Sequence, residues 1–143
     1  MNERYIRQTM IPEIGEAGQE KLKNAKVLIV GIGGLGSPIS LYLTAAGVGQ
    51  IGLIDDDIVS RSNLQRQILY TEAEIGQSKV ECACRRLSAL NSSTRFETYL
   101  NRFTSDNADR LVSAYDIIID GCDNAATRYL IDDICSRFKK PYV

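Results

Sequence analysis

The apolar run Val27-Leu28-Ile29-Val30 stops at Gly31, and glycine recurs at Gly33, Gly34 and Gly36. An unbroken run of mostly branched side chains suits a strand covered on both faces, as in a parallel sheet. The glycines suit a tight turn, where a side chain would block both the turn and the approach of a phosphate to backbone N–H groups. A helix starting after such a turn adds unpaired N–H donors and partial positive charge. Strand, glycine turn and helix in this order predict a nucleotide site. The spacing alone does not choose the nucleotide, because NAD and ATP enzymes both fit it.

The same alternation continues along the chain. Leu35, Ile39, Tyr42, Leu43 and Ala46 follow helical spacing up to Gly47, with Pro38 harmless in the first turn. Gln50 to Asp55 reads as a second strand that ends in Asp55-Asp56-Asp57. Ile58 to Gly76 has no steady period and predicts a long functional loop with a short helix around Asn63 to Leu69. Ser78 is placed to cap a helix whose inward positions are Val80, Ala83, Cys84, Leu87 and Leu90. A strand over Arg95 to Leu100, a polar helix over Ser105 to Ser113 and a buried strand over Asp116 to Gly121 follow. The next helix carries Thr127, Leu130, Ile131, Ile134, Cys135 and Phe138 on one face, and Pro141-Tyr142-Val143 reads as the opening of a further strand.

Residues 1–25 are polar, with a helix around Glu16 to Leu22, and read as an N-terminal helical arm. Arg4-Tyr5-Ile6-Arg7-Gln8, taken alone, suits a solvated turn or a packing arm. The expected architecture is a single α/β domain over residues 1–143, Rossmann-like, with a mostly parallel sheet and helices on both faces. The sheet is expected to be truncated at its C-terminal end. Its ligand should lie beyond the carboxyl ends of the strands.

Composition narrows the chemistry. A net charge of −1 gives no electrostatic case for nucleic acid or an anionic membrane. No apolar run approaches the roughly 20 residues of a membrane span, and Met1-Asn2-Glu3-Arg4-Tyr5 is too polar for a signal peptide. A cytoplasmic location is expected. Cys82, Cys84, Cys122 and Cys135 form no Cys-x-x-Cys pair and the sequence has no histidine, so no zinc site is expected within this chain. The same absence rules out Ser-His-Asp or Cys-His catalysis from these residues alone.

Asp55, at the end of the second strand, is placed to accept hydrogen bonds from ribose hydroxyls. Three features favour a polyphosphate over a nicotinamide. Ser62-Asn63-Leu64-Gln65-Arg66-Gln67 concentrates hydroxyl, amide and guanidinium donors in the long loop. Lys79 falls in the first turn of its helix, unfavourable unless an anion is near. Asp123-Asn124 follows the strand ending at Gly121, where Asp123 could hold Mg²⁺ or cap the next helix.

Arg4-Tyr5-x-Arg7-Gln8, Gly31-x-Gly33-Gly34-x-Gly36, Ala46-Gly47-Val48-Gly49, Asp55-x-Asp57-x-Val59, Ser62-Asn63-Leu64-Gln65-Arg66-Gln67, Gly76-x-x-Lys79 and Asp120-x-x-Asp123-Asn124-x-x-x-Arg128 together resemble the motif series of the ThiF/MoeB/HesA adenylyltransferases. These are bacterial relatives of the ubiquitin-activating enzymes. The resemblance runs from Arg4 to Val143. It implies ATP-dependent adenylation of the C-terminal glycine of a ubiquitin-like sulfur-carrier protein ending in Gly-Gly, in a thiamine or molybdopterin type of pathway.

By the same resemblance, Gly31, Gly33, Gly34 and Gly36 form the nucleotide turn, and Asp55 holds the ribose with Asp57 nearby. Ser62, Asn63, Leu64, Gln65 and Arg66 surround the phosphates, with Lys79 as a further cation. Asp123 binds Mg²⁺, and Asn124 lies beside the nucleotide. Arg7 reaches the ATP of a neighbouring subunit, which implies a homodimer. Arg7, Arg66, Lys79 and Asp123 are the implied catalytic set. The family's zinc cysteines, reactive cysteine and carrier groove have no counterpart in these residues. An NAD(P)-binding module and a catalytically silent dimerisation fragment are the alternative expectations.

Overall fold

The computed structural model describes residues 3–143. Four parallel strands form one sheet in the order β3-β2-β1-β4: β1 (Lys26–Val30), β2 (Gln50–Ile54), β3 (Arg95–Tyr99) and β4 (Ile117–Asp120). The helices are α1 (Ile6–Thr9), α2 (Gly15–Asn24), α3 (Gly36–Ala46), α4 (Lys79–Leu90), α5 (Ser105–Ala114) and α6 (Ala125–Phe138). The expected Rossmann-like arrangement is present.

Strand alternation builds a core on each face. Val27 and Ile29 of β1 join Ile51 and Leu53 of β2 under α3 and α4, in one cluster with Val80, Ala83 and Leu87. Leu28 and Val30 point the other way and pack with Ile118, Leu111, Val112, Ile131 and Ile134 of β4, α5 and α6. The chain leaves β1 toward β2 on one side and returns to β4 on the other. The carboxyl ends of β1 and β4 therefore flank the topological switch point, where the fold opens a crevice. Past β4, Ile118 N–H donates to Pro141 O at 3.1 Å and Asp120 N–H to Val143 O at 2.7 Å, so Pro141 to Val143 does open a further parallel strand.

α3 corrects the expected helix face. Ile39 and Leu43 pack partly against the core, but Leu35 and Tyr42 are 52% and 77% exposed. The buried residues are Gly36, Ser37, Ser40 and Thr44 instead. Small side chains let the helix sit close to the glycine turn. A Cβ on Gly36 would overlap the Gly31 carbonyl oxygen, so packing makes this glycine obligatory. Gly47 ends α3 with φ of 89°, in the left-handed region.

The long loop and α4 bring further corrections. No α-helix forms around Asn63 to Leu69; the long loop instead holds two 3₁₀ turns on either side, Arg61–Asn63 and Glu72–Glu74, each closed by a capping box. In α4 the buried stripe is Lys79, Val80, Cys82, Ala83 and Leu87, whereas Cys84 is only partly buried and Leu90 is exposed. Ser78 occupies the N-cap position, yet its buried hydroxyl has no hydrogen-bond partner. α1 and α2 dock on α3 through amides: Gln8 and Gln19 both donate to Ala46 O, at 3.1 and 2.9 Å. The aromatic of the arm, Tyr5, is buried and accepts from Asn91 Nδ2 at 2.8 Å, which makes the segment a packing arm.

Gly36→Ala is expected to destabilise the fold by about 1–3 kcal/mol through overpacking. Gly34→Ala, whose Cβ would meet only the Arg66 side chain at 3.6 Å, should stay within about 0.5 kcal/mol of the parent. Urea unfolding of the two variants checks the contrast.

Candidate nucleotide site

A cavity of about 890 Å³ opens over the carboxyl ends of β1, β2 and β4. Its floor is the glycine turn, fixed from several sides. Gly31 N–H donates to Ile54 O at 2.9 Å and Gly121 N–H to Val30 O at 2.8 Å, which ties the three strand ends together. Ile32, inside the turn, is fully buried and bound at both its polar atoms. Its N–H donates to Asp55 Oδ2 at 2.8 Å, and its carbonyl accepts from the Tyr70 hydroxyl at 2.6 Å. Protein groups alone thus fix the turn's conformation.

Three adjacent carboxylates stand at the end of β2, with oxygens within 4.8 Å of one another. Each is balanced differently. Asp55 accepts two backbone N–H groups, from Ile32 and, at 2.9 Å, from Asp57. Asp56 pairs with Arg102 Nε at 2.9 Å. Asp57 pairs with Lys79 Nζ at 2.9 Å. A carboxylate has about four acceptor positions, so Asp55 retains capacity for a ligand's hydroxyls.

The cavity brings together Gly31, Gly33, Gly34, Asp55, Asp57, Arg66, Lys79, Asp123 and Asn124 from the sequence expectation. The Arg66 stem lies against Gly34, while its guanidinium donates to Ser62 O at 3.2 Å. Asp123 is exposed, and among the described residues no hydrogen bond or ion pair engages its carboxylate. Asn124 caps α6 by accepting Thr127 N–H at 2.9 Å, so its side-chain oxygen is partly committed.

Other expected residues lie outside the lining. Gly36 is packed beneath the turn, and Arg7 is exposed on α1. Asn63 closes the 3₁₀ turn through Ser60 N–H, Ser62 shares a hydrogen bond with Ser60 at 3.0 Å, Leu64 packs on the core, and Gln65 is exposed.

Sequence reasoning missed part of the wall. Asn101, Arg102, Phe103 and Thr104 close the cavity beyond β3, whereas Gln67, already part of the expected donor cluster, is buried beside Gly33 with its side-chain oxygen unpartnered. Position after a strand end was the signal for the group beyond β3. Tyr70 carried no signal, because an aromatic in an aperiodic loop reads as packing. Cys122 lines the cavity with its Sγ donating to Asp120 Oδ1 at 2.7 Å. Burial, then that hydrogen bond, push the thiol upward, and burial does the same to Cys82 and Cys135. Protonated thiols are poor nucleophiles, so the cavity's chemistry rests on carboxylates and cations.

Comparison with known proteins shows the family. The ThiF family model matches residues 5–143. The adenylyltransferase and sulfurtransferase MOCS3 of Culex quinquefasciatus is 52% identical over 140 residues, covering 98% of this chain and 32% of that protein. A sulfur carrier protein adenylyltransferase of Thermus thermophilus is 48% identical over 141 residues, covering 99% of this chain and 52% of that protein. The chain therefore spans a third to a half of these relatives. The E. coli tRNA N6-threonylcarbamoyladenosine dehydratase TcdA, solved in complex with ATP, superposes with a TM-score of 0.90 at 30% identity, over 97% of this chain and 57% of that one.

Burial, followed by the charge of Asp55, raises the Tyr70 phenol above its ordinary value. A raised phenol stabilises the fold fully below the unfolded value of about 10 and loses that contribution as pH rises above it. Tyr70→Phe should cost about 1 kcal/mol at neutral pH, from one lost hydrogen bond, and should flatten the alkaline fall in stability. Urea unfolding at neutral and alkaline pH measures both effects.

Proposed function

Because the chain belongs to the ThiF family, we propose that it forms the nucleotide-binding part of an enzyme that adenylates the C-terminal glycine of a ubiquitin-like sulfur-carrier protein. The observation that carries this reading is the ring of Asp55, Arg66, Lys79 and Asp123 around the glycine turn. A nicotinamide dinucleotide also carries two phosphates, but its binding calls for no free carboxylate facing them, whereas a metal-bound triphosphate does.

In the proposed reaction a carrier carboxylate oxygen attacks the α-phosphorus of ATP. The α–β phosphoanhydride bond breaks, and pyrophosphate leaves with the electron pair. A peptide C-terminus has a pKa of roughly 3.3–3.7 and is ionised at neutral pH, so no general base is needed. A chain without histidine can therefore serve. The protein's work is alignment and charge balance. Asp55 orients the ribose, the glycine turn lets the phosphates approach backbone donors, and Arg66 and Lys79 offset phosphate charge.

Asp123 fits a Mg²⁺ ion. It is a hard oxygen donor, open to the cavity and unengaged by protein groups, and Mg²⁺ favours one or two carboxylates together with phosphates and waters. The ion would supply further charge neutralisation on the phosphates. Homodimerisation belongs to the same proposal. Arg7 does not line its own cavity, consistent with its serving a neighbour's, and Leu35, Tyr42, Met10 and Ile68 leave apolar surface for a partner copy.

Asp123→Ala is expected to reduce carrier-dependent ATP–pyrophosphate exchange at least a hundredfold, an effect of about 2.7 kcal/mol, in the complete enzyme with a Gly-Gly-terminated carrier. Unfolding should be unchanged, because Asp123 is exposed and makes no protein contact that stabilises the fold. Exchange near the parent rate in that variant contradicts the metal assignment.

A further inference from the structure

The cations lining the cavity differ in depth. Arg66 and Arg102 are exposed, whereas the Lys79 side chain is only 5% exposed. Lys79 opens α4, where the helix dipole adds positive potential to its own charge. A buried ammonium in that position needs a counter-charge, and leaving it unpaired is costly. Asp57 supplies it at 2.9 Å, although the Asp57 side chain is 64% exposed. Backbone geometry reinforces the pairing. Lys79 N–H donates to Asp57 O at 3.1 Å, and Asp57 N–H is held by Asp55 Oδ1 at 2.9 Å. The Asp57 carboxylate is thus the exposed member of the pair, on a backbone held by hydrogen bonds at both its N–H and its carbonyl.

We propose that Lys79 changes partner when a polyphosphate enters, and that Asp57 is the group the phosphate displaces. The proposal rests on the cavity being a nucleotide site. A hydrated, exposed carboxylate is a modest counter-ion, whereas a polyphosphate brings several oxygens and more than one charge to the same ammonium. Exchange then favours ligands carrying a polyphosphate, while a nucleoside leaves the Lys79–Asp57 pair closed. Asp57 thereby sets selectivity for the phosphate chain without contacting the ligand in the final complex. It also keeps a buried cation satisfied while the cavity is empty.

Calorimetric titration of the 143-residue chain with adenosine, inorganic pyrophosphate and ATP tests this in the parent, Asp57→Asn, Lys79→Met and the double variant. Asp57→Asn should bind pyrophosphate and ATP about tenfold more tightly and adenosine unchanged, within the usual range for couplings of this kind. The gain should vanish when Lys79 is also replaced. Asp57→Ser gives the same reading if the Asn variant does not fold. Weaker or unchanged pyrophosphate binding in the Asp57 variants overturns the exchange, and so does a gain that survives loss of Lys79. A folded parent chain that binds neither adenosine nor ATP overturns the nucleotide site itself, and the exchange with it.

Discussion

The close approach of three backbone segments at the end of the sheet governs the molecule. Gly31, Gly36 and Gly121 meet where β1 breaks into its turn, α3 begins and β4 ends. A Cβ on Gly31 would lie 2.8 Å from the Gly121 carbonyl oxygen, and one on Gly36 would overlap the Gly31 carbonyl. This contact forces small residues onto the inner face of α3 and pushes Leu35 and Tyr42 outward. It also brings the ends of β1 and β4 together at the switch point, so one constraint closes the core and opens the cavity.

Charge is arranged around that contact so that the empty site is nearly satisfied. Asp55 is held by backbone N–H groups, Asp56 by Arg102 and Asp57 by Lys79, which lets three neighbouring carboxylates coexist near the start of a helix. Asp123 is the exception, a carboxylate facing the cavity with no protein partner among the described residues. The cavity is thus preorganised at Asp55 and open at Asp123.

Much of this was legible in the sequence for identifiable reasons. Strands β1 and β4 are continuous branched apolar runs, and a strand buried on both faces leaves that mark. The glycine turn, Asp55 and Asp123 were legible because each stands just after a strand end, where the fold places ligands. What escaped were features set by contacts distant in the chain. Hydrophobicity placed Leu35 and Tyr42 inward, but the Gly31–Gly36 contact selects small residues there. A short helix is expected around Asn63 to Leu69 within the aperiodic loop, yet capping boxes at Ser60 and Thr71 close separate short turns on either side. Lys79 was recognised as a cation in need of an anion. That Asp57 is its partner follows only from the fold, as does the clamp of Tyr70 on Ile32.

Amide chemical shifts of the chain, followed by NMR during parallel titrations with Mg²⁺–ATP and with NAD, test the central claim most directly. The account predicts that ATP moves the amides of Gly31 to Gly36, Asp55, Lys79 and Asp123 as one saturating group, at concentrations where NAD leaves them unmoved. An equal or stronger response to NAD, or ATP shifts confined to residues outside this cavity, would contradict it.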